Sequence, residues 1–216
     1  MDLQTAKSQM LAQQIRAWEV LDERVLAAFR HVPRERFVPE GYEDLAFADT
    51  EIPIGHGQCM MAPKIEGRLL QSLDISPADE ALEIGTGTGY LTACLAALAD
   101  RVSSVDLFPD FIDSARRRLE NLGIDNVELD TADATELSYD GRFDVIAITA
   151  SVPAFDRRFV RMLRPKGRLF VVVGRMPIME ARVITLHDSG EWSERSLFET
   201  VLTPMLNVDQ TEPFVL

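Results

Sequence analysis

Leu82-Glu83-Ile84-Gly85-Thr86-Gly87-Thr88-Gly89-Tyr90 joins a short apolar run, Glu80–Ile84, to an Ala- and Leu-rich helical run, Tyr90–Ala99. The order strand, glycine turn, helix decides the fold. Glycines at this junction allow a tight turn and let a ligand approach the backbone closely. Downstream the alternation continues. Arg101–Asp106 reads as a strand, Pro109–Leu122 as a helix closed by Gly123, and Asn126–Thr131 as a third strand. Phe143–Thr149 is a strongly apolar fourth strand, Phe155–Leu163 a helix and Gly167–Val173 a fifth strand. Strands alternating with helices of this length imply right-handed crossovers and a mainly parallel sheet covered on both faces. Ala181–His187, a turn at Asp188–Gly190, and Arg195–Met205 read as a strand pair finishing the sheet in antiparallel fashion.

Upstream, apolar residues at helical spacing run from Leu3 to Phe29, and Asp22 inside that run is a plausible N-cap, which predicts two helices. From Val32 to Gln58 the prolines and glycines point to extended or irregular backbone; Pro63–Leu73 is helical again. Residues 1–76 are expected to form an N-terminal, substrate-side extension on a cofactor-binding α/β core, 77–216, the whole a single domain.

Glycine turns are common, and the carboxylate of Asp106 makes this one specific. It closes the second strand about 20 residues on, where it can accept both hydroxyls of a ribose. A Walker loop needs Gly-Lys-Ser/Thr, yet Gly89 is followed by Tyr90 and Leu91. Dinucleotide folds space their glycines GxGxxG, whereas here the spacing is GxGxG with Glu83 two residues before it. The acidic-x-GxGxG form is that of S-adenosylmethionine loops. A sulfonium and an ammonium favour nearby carboxylates, and Glu83 meets that need. Candidate cofactor residues are Met60, Glu83, Gly85, Thr86, Gly87, Gly89, Asp106, Leu107, Asp133 and Ala134. For Asp133, just past the third strand, an adenine contact and a helix N-cap both remain open.

Composition narrows the partners. A net charge of −13 repels phosphate backbones, so nucleic acid is not expected as substrate. Arg116, Arg117 and Arg118 lie in an amphipathic stretch and read as a solvated helix face. No apolar run approaches the roughly 20 residues of a membrane span, and no basic-then-apolar leader opens the chain. Cys59 and Cys94 are too few for a disulfide framework or thiolate metal site, and His31, His56 and His187 lack ligand spacing. A cytoplasmic, metal-free protein, monomer or weak homodimer, is expected.

Over nearly its whole length the chain resembles the protein-L-isoaspartate (D-aspartate) O-methyltransferases. The resemblance rests on Val32-Pro33-Arg34-Glu35-Arg36-Phe37-Val38-Pro39, on Asp49 to Gln58, on the loop Leu82–Tyr90, and on Phe143–Ala150 with Leu163–Leu169. It implies a doubly wound, mainly parallel, seven-stranded Rossmann-like methyltransferase sheet with an N-terminal helical extension. It also implies methyl transfer from S-adenosylmethionine to the α-carboxylate of isoaspartyl residues in damaged proteins or peptides, leading to a succinimide and partial repair. An acceptor carboxylate is already ionised at neutral pH, so no general base is required. No Ser/His/Asp or Cys/His constellation is present, and after the fourth strand Thr149-Ala150-Ser151-Val152-Pro153 stands where N-methyltransferases carry Asn/Asp-Pro-Pro-aromatic.

The chain departs from the family after Gln58. Cys59-Met60-Met61-Ala62-Pro63 replaces Thr-Ile-Ser-x-Pro, which puts Met61 at the family's active-site serine and Cys59 at its threonine. These two, with Asp49, are the candidate catalytic positions. Val201-Leu202-Thr203-Pro204-Met205 replaces Arg-Phe-Val-Pro-Leu in the segment that helps bind substrate backbone. His56 reads as structural. Beside isoaspartyl methylation stand two other readings: methylation of a different carboxylate, and a non-catalytic adenosylmethionine-binding protein.

Overall fold

The computed structural model describes residues 3–208. A seven-stranded sheet runs in the order β5-β4-β3-β6-β7-β8-β9. Its strands are β3 (Glu80–Ile84), β4 (Arg101–Asp106), β5 (Val127–Thr131), β6 (Phe143–Val152), β7 (Leu163–Arg175), β8 (Ile178–Leu186) and β9 (Trp192–Thr200). The first five pair in parallel, and β8 and β9 close the edge antiparallel. The chain walks from β3 out to β5 and then returns to the far side of β3 with β6. The order therefore reverses between β3 and β6, and a crevice opens at their carboxyl ends, where open α/β sheets bind ligands.

Alternation along the strands sorts residues onto two faces. Leu82 and Ile84 join an apolar layer with Phe159 and Met162, while Ala81 packs into a larger layer with the N-terminal segments. That larger layer holds α2 (Glu23–His31), α3 (Pro63–Leu73) and α4 (Tyr90–Ala96), and its buried residues run without a break from Met10 and Phe29 to Phe170 and Val183. The extension is thus part of the core packing. Two helices do form before residue 32. The first, α1 (Leu3–Gln9), runs on through a π turn and a 3-10 turn to Trp18, and Asp22 caps α2 by accepting the Arg24 N–H at 2.8 Å.

Inside the stretch predicted to be extended or irregular, β1 (Ile52–Gly55) and β2 (Gln58–Met60) form a separate antiparallel hairpin. A two-stranded hairpin is marginal by itself. Its base is anchored by Arg34, only 1% exposed, whose guanidinium donates to the Ala46 carbonyl at 2.8 Å, the Met61 carbonyl at 2.7 Å and the Glu66 carboxylate. The same guanidinium lies 4.6 Å over the Tyr90 ring.

The helix predicted over Phe155–Leu163 is corrected to a single turn, α6 (Arg158–Arg161). Cross-strand pairing overrides local propensity there: β6 extends to Val152, and Leu163 is drawn into β7 opposite Phe143. The last strand likewise starts and ends earlier than read, at Trp192–Thr200, leaving Leu202–Met205 for another task. Among the described residues no helix is long and apolar enough to cross a membrane.

Candidate active site

The crevice at the switch point is built from the β3 loop. Gly85 and Thr86 both donate backbone N–H groups to the Val105 carbonyl, at 2.8 and 3.2 Å. This draws the loop against the end of β4. Gly85 has φ +103, and a Cβ there would sit 2.1 Å from Thr149 Oγ1, so only glycine fits. The Thr149 hydroxyl, on β6, lies 3.0 and 2.9 Å from the carbonyls of Ile84 and Gly85. Gly89, with φ +85, leads into α4, and a Cβ there would meet Ala115 of α5 (Pro109–Asn121) at 2.9 Å.

Asp106 ends β4 inside the crevice. Its Oδ2 accepts the Gly87 N–H at 2.8 Å and its Oδ1 the Phe108 N–H at 3.0 Å. Burial raises its carboxyl above the usual range, opposed by backbone N–H groups of Gly87, Phe108 and Leu107. A carboxylate has about four acceptor sites, which leaves room for a hydroxyl donor beside these N–H groups.

Leu107, Ala132, Asp133 and Ala134 continue this wall. Asp133 Oδ1 accepts the Thr135 N–H and hydroxyl, at 2.8 and 2.7 Å, and its Oδ2 accepts from Asn207 at 2.6 Å. Burial pushes this carboxyl up, but those hydrogen bonds outweigh it and leave it lowered. Asp133 therefore caps a turn and faces the cleft at once.

Glu83 lies on the opposite face of β3 from Ile84, at 0% exposure. With Met60 and Thr86 it lines an inner recess that shares Gly85, Gly87, Met61 and Thr149 with the main cleft. Its Oε2 accepts from the hydroxyls of Thr92 and Ser104, and Ser104 is in turn 2.6 Å from the Thr86 hydroxyl. Its Oε1 is buried without a partner among the described residues. Burial drives this carboxyl up to about 8, against those two hydroxyls, with Asp106 and Glu66 adding to the rise.

The facing wall comes from the hairpin and the C-terminal segment. Ile54, Gln58, Cys59 and Met61 line it, together with Leu202, Thr203 and Met205. The second group is strapped across the end of β6. Ser151 N–H donates to the Thr203 carbonyl at 3.0 Å, the Ser151 hydroxyl to the Leu202 carbonyl at 2.9 Å, and Met205 N–H to the Ser151 carbonyl at 2.8 Å. Cys59 is half-buried; its thiol is raised by burial and by Glu51, and eased by the Thr203 hydroxyl. Asp49 stands apart from this wall. Its carboxylate pairs with Lys64 of α3 at 2.7 Å and does not line the cleft.

Phe108, Thr149 and Thr203 were not singled out as site residues from the sequence, though each now lines the cleft. Phe108 had a signal in its place two residues after Asp106. Thr203 had one in the altered C-terminal motif. Thr149 had none beyond ending the apolar run.

The donor set fits an adenosylmethionine-like ligand. It offers a hydroxyl-accepting carboxylate at Asp106, an unpartnered buried carboxyl oxygen at Glu83, and a floor left bare by Gly85 and Gly87. Among the described residues no three His, Cys, Asp or Glu side chains gather as a metal site.

The protein-L-isoaspartate (D-aspartate) O-methyltransferase family model matches residues 5–209. A protein-L-isoaspartate O-methyltransferase of Koribacter versatilis is 36% identical over 93% of this chain and 90% of its own. One from Methanoculleus marisnigri is 40% identical over 78% of this chain and 77% of its own. Among solved structures, the Plasmodium falciparum enzyme of that name, in complex with S-adenosyl-L-homocysteine, superposes with a TM-score of 0.79 over 92% of this chain and 97% of its own. At 21% identity that likeness speaks for the fold. By sequence and by fold, the chain belongs to the protein-L-isoaspartate (D-aspartate) O-methyltransferase family.

Proposed function

We propose that this protein methylates the α-carboxylate of isoaspartyl residues in damaged proteins, using S-adenosylmethionine bound in the cleft between β3 and β6. The observation that carries this reading is the pairing of two unlike walls. One is rich in carboxylates and bare backbone, and the other sets apolar side chains beside a hydroxyl, a thiol, the Gln58 amide and the Glu51 carboxylate. Bound S-adenosylmethionine supplies an electrophilic methyl group on a sulfonium. Asp106 would accept the ribose hydroxyls, Leu107, Ala134 and Asp133 would hold the adenine side, and Glu83 would offer a carboxylate toward the cationic end.

On the acceptor wall Met61 cannot donate a hydrogen bond and Cys59 donates weakly, so the Thr203 hydroxyl and the Gln58 amide are the donors for an incoming carboxylate. That carboxylate arrives ionised and needs no base; the chain's work is alignment and exclusion of water. Arg34 supports this by holding the Met61 backbone. The protein acts as one unit over 1–216. Its net charge of −13 sets nucleic acid aside as a partner, and two unpaired cysteines suit a reducing cytoplasm.

Labelled methyl transfer to a synthetic isoaspartyl peptide, with its aspartyl isomer as control, tests the reading. Label on the isoaspartyl peptide alone is expected. Calorimetric binding of S-adenosylmethionine with no label on either would contradict it.

A further inference from the structure

The tip of the β1–β2 hairpin, Gly55-His56-Gly57, is exposed and has left-handed backbone throughout, with His56 at φ +51. Only its base is tied down by Arg34. At the tip the fastening is the His56 ring. It stacks on Phe108 with centroids 4.0 Å apart and planes 10° from parallel, and meets Phe111 edge-on at 5.3 Å. Phe108 and Phe111 pack against each other at 5.3 Å, completing a three-ring cluster. His56 Nε2 also lies 3.0 Å from the Asp110 carboxylate at the start of α5.

These contacts join the two walls of the cleft. The hairpin contributes Ile54, Gln58 and Cys59 to the acceptor side, whereas Phe108 lines the cofactor side. Phe108 also donates its backbone N–H to Asp106 Oδ1, so whatever fixes Phe108 fixes the carboxylate that faces the ribose. We propose that His56 is a positioning residue: its ring clamps the acceptor-side hairpin onto Phe108, coupling cofactor binding at Asp106 to acceptor binding beside Cys59. The proposal rests on the functional reading above.

Two substitutions separate the ring from the hydrogen bond. His56→Asn tolerates the left-handed backbone but removes the stack; His56→Phe keeps a ring and removes the hydrogen bond to Asp110, with some backbone strain at the left-handed φ. Calorimetry with S-adenosylmethionine, without and with saturating isoaspartyl peptide, reads the coupling. His56→Asn is expected to raise the cofactor dissociation constant about threefold to tenfold, the effect of one lost aromatic contact. It is also expected to lose the tightening that peptide gives the parent, with the loss falling on KM rather than kcat. His56→Phe keeps the stacked ring at the expense of strain in its left-handed backbone, and is expected to lose clearly less cofactor affinity than His56→Asn. Amide hydrogen exchange in the cofactor-free protein gives a second readout: faster exchange at Gly57–Cys59 in His56→Asn and not in His56→Phe. Parent-like affinity and exchange in His56→Asn, or equal losses in both variants, would overturn the clamp. A parent that binds no cofactor would instead overturn the functional reading, while the exchange comparison still judges the clamp.

Discussion

Met61 lines the cleft with a thioether that cannot donate a hydrogen bond. Restoring a donor by Met61→Ser is expected to raise kcat/KM on an isoaspartyl peptide by about tenfold, the worth of one hydrogen bond to a charged group. Unchanged or lower activity would show that Thr203 already fills the role. Asp106→Ala is expected to weaken S-adenosylmethionine binding by about 1.5–3 kcal/mol in calorimetry. Glu83 makes a pH prediction. In the folded, cofactor-free protein burial holds its carboxyl at about 8, above the ordinary 4.5. Below 4.5 both folded and unfolded chains carry the proton; as pH rises toward 8 only the unfolded chain releases it, so stability is lost across that window. The melting temperature is expected to fall between pH 5 and 8, and Glu83→Gln to flatten that fall. Some slope remains, because burial also raises Glu66, to about 7, against its Arg34 partner. An unaltered slope in Glu83→Gln would contradict the assignment. The place of Asp106 at the cleft was legible in the sequence because the strand–glycine–helix spacing sets it. The pairing of Asp49 with Lys64 was not, since it arises from the packing of α3, and Thr203 reaches the cleft only through the Ser151 strap.

The turn between β3 and α4 is the element on which the cleft depends. Gly85→Ala meets two obstacles, a φ of +103 and a Cβ 2.1 Å from Thr149 Oγ1. A loss of roughly 2–5 kcal/mol is expected in denaturant unfolding, from backbone strain and overpacking together. Adding Thr149→Ala removes the clash but not the strain, so the double variant is expected to recover part of the loss; none recovered would place the whole cost in φ. The strands of this region were readable because their apolar runs are short and bounded by glycine, proline or charge. Helix α6 was misread for a related reason. Its apolar residues have helical spacing, but pairing of Leu163 with Phe143 is non-local and leaves room for one turn.

Across the whole molecule, the sheet reversal places the crevice, and the N-terminal extension supplies one of its walls. The alternating pattern from Glu80 onward announced the first half of that arrangement. The hairpin β1–β2 was hidden, since prolines and glycines mark a turn-rich stretch without saying what it pairs with. What the extension contributes is one side of the cleft: Cys59 and Met61 line it, and Arg34 holds the Met61 backbone. The most direct measurement is the fate of the acceptor. An isoaspartyl peptide is incubated with the protein and S-adenosylmethionine, and its isomers are separated by chromatography. The normal aspartyl peptide is expected to accumulate through the succinimide, and only when both protein and cofactor are present. An isoaspartyl peptide that stays unmethylated and unconverted under those conditions would contradict the proposed function.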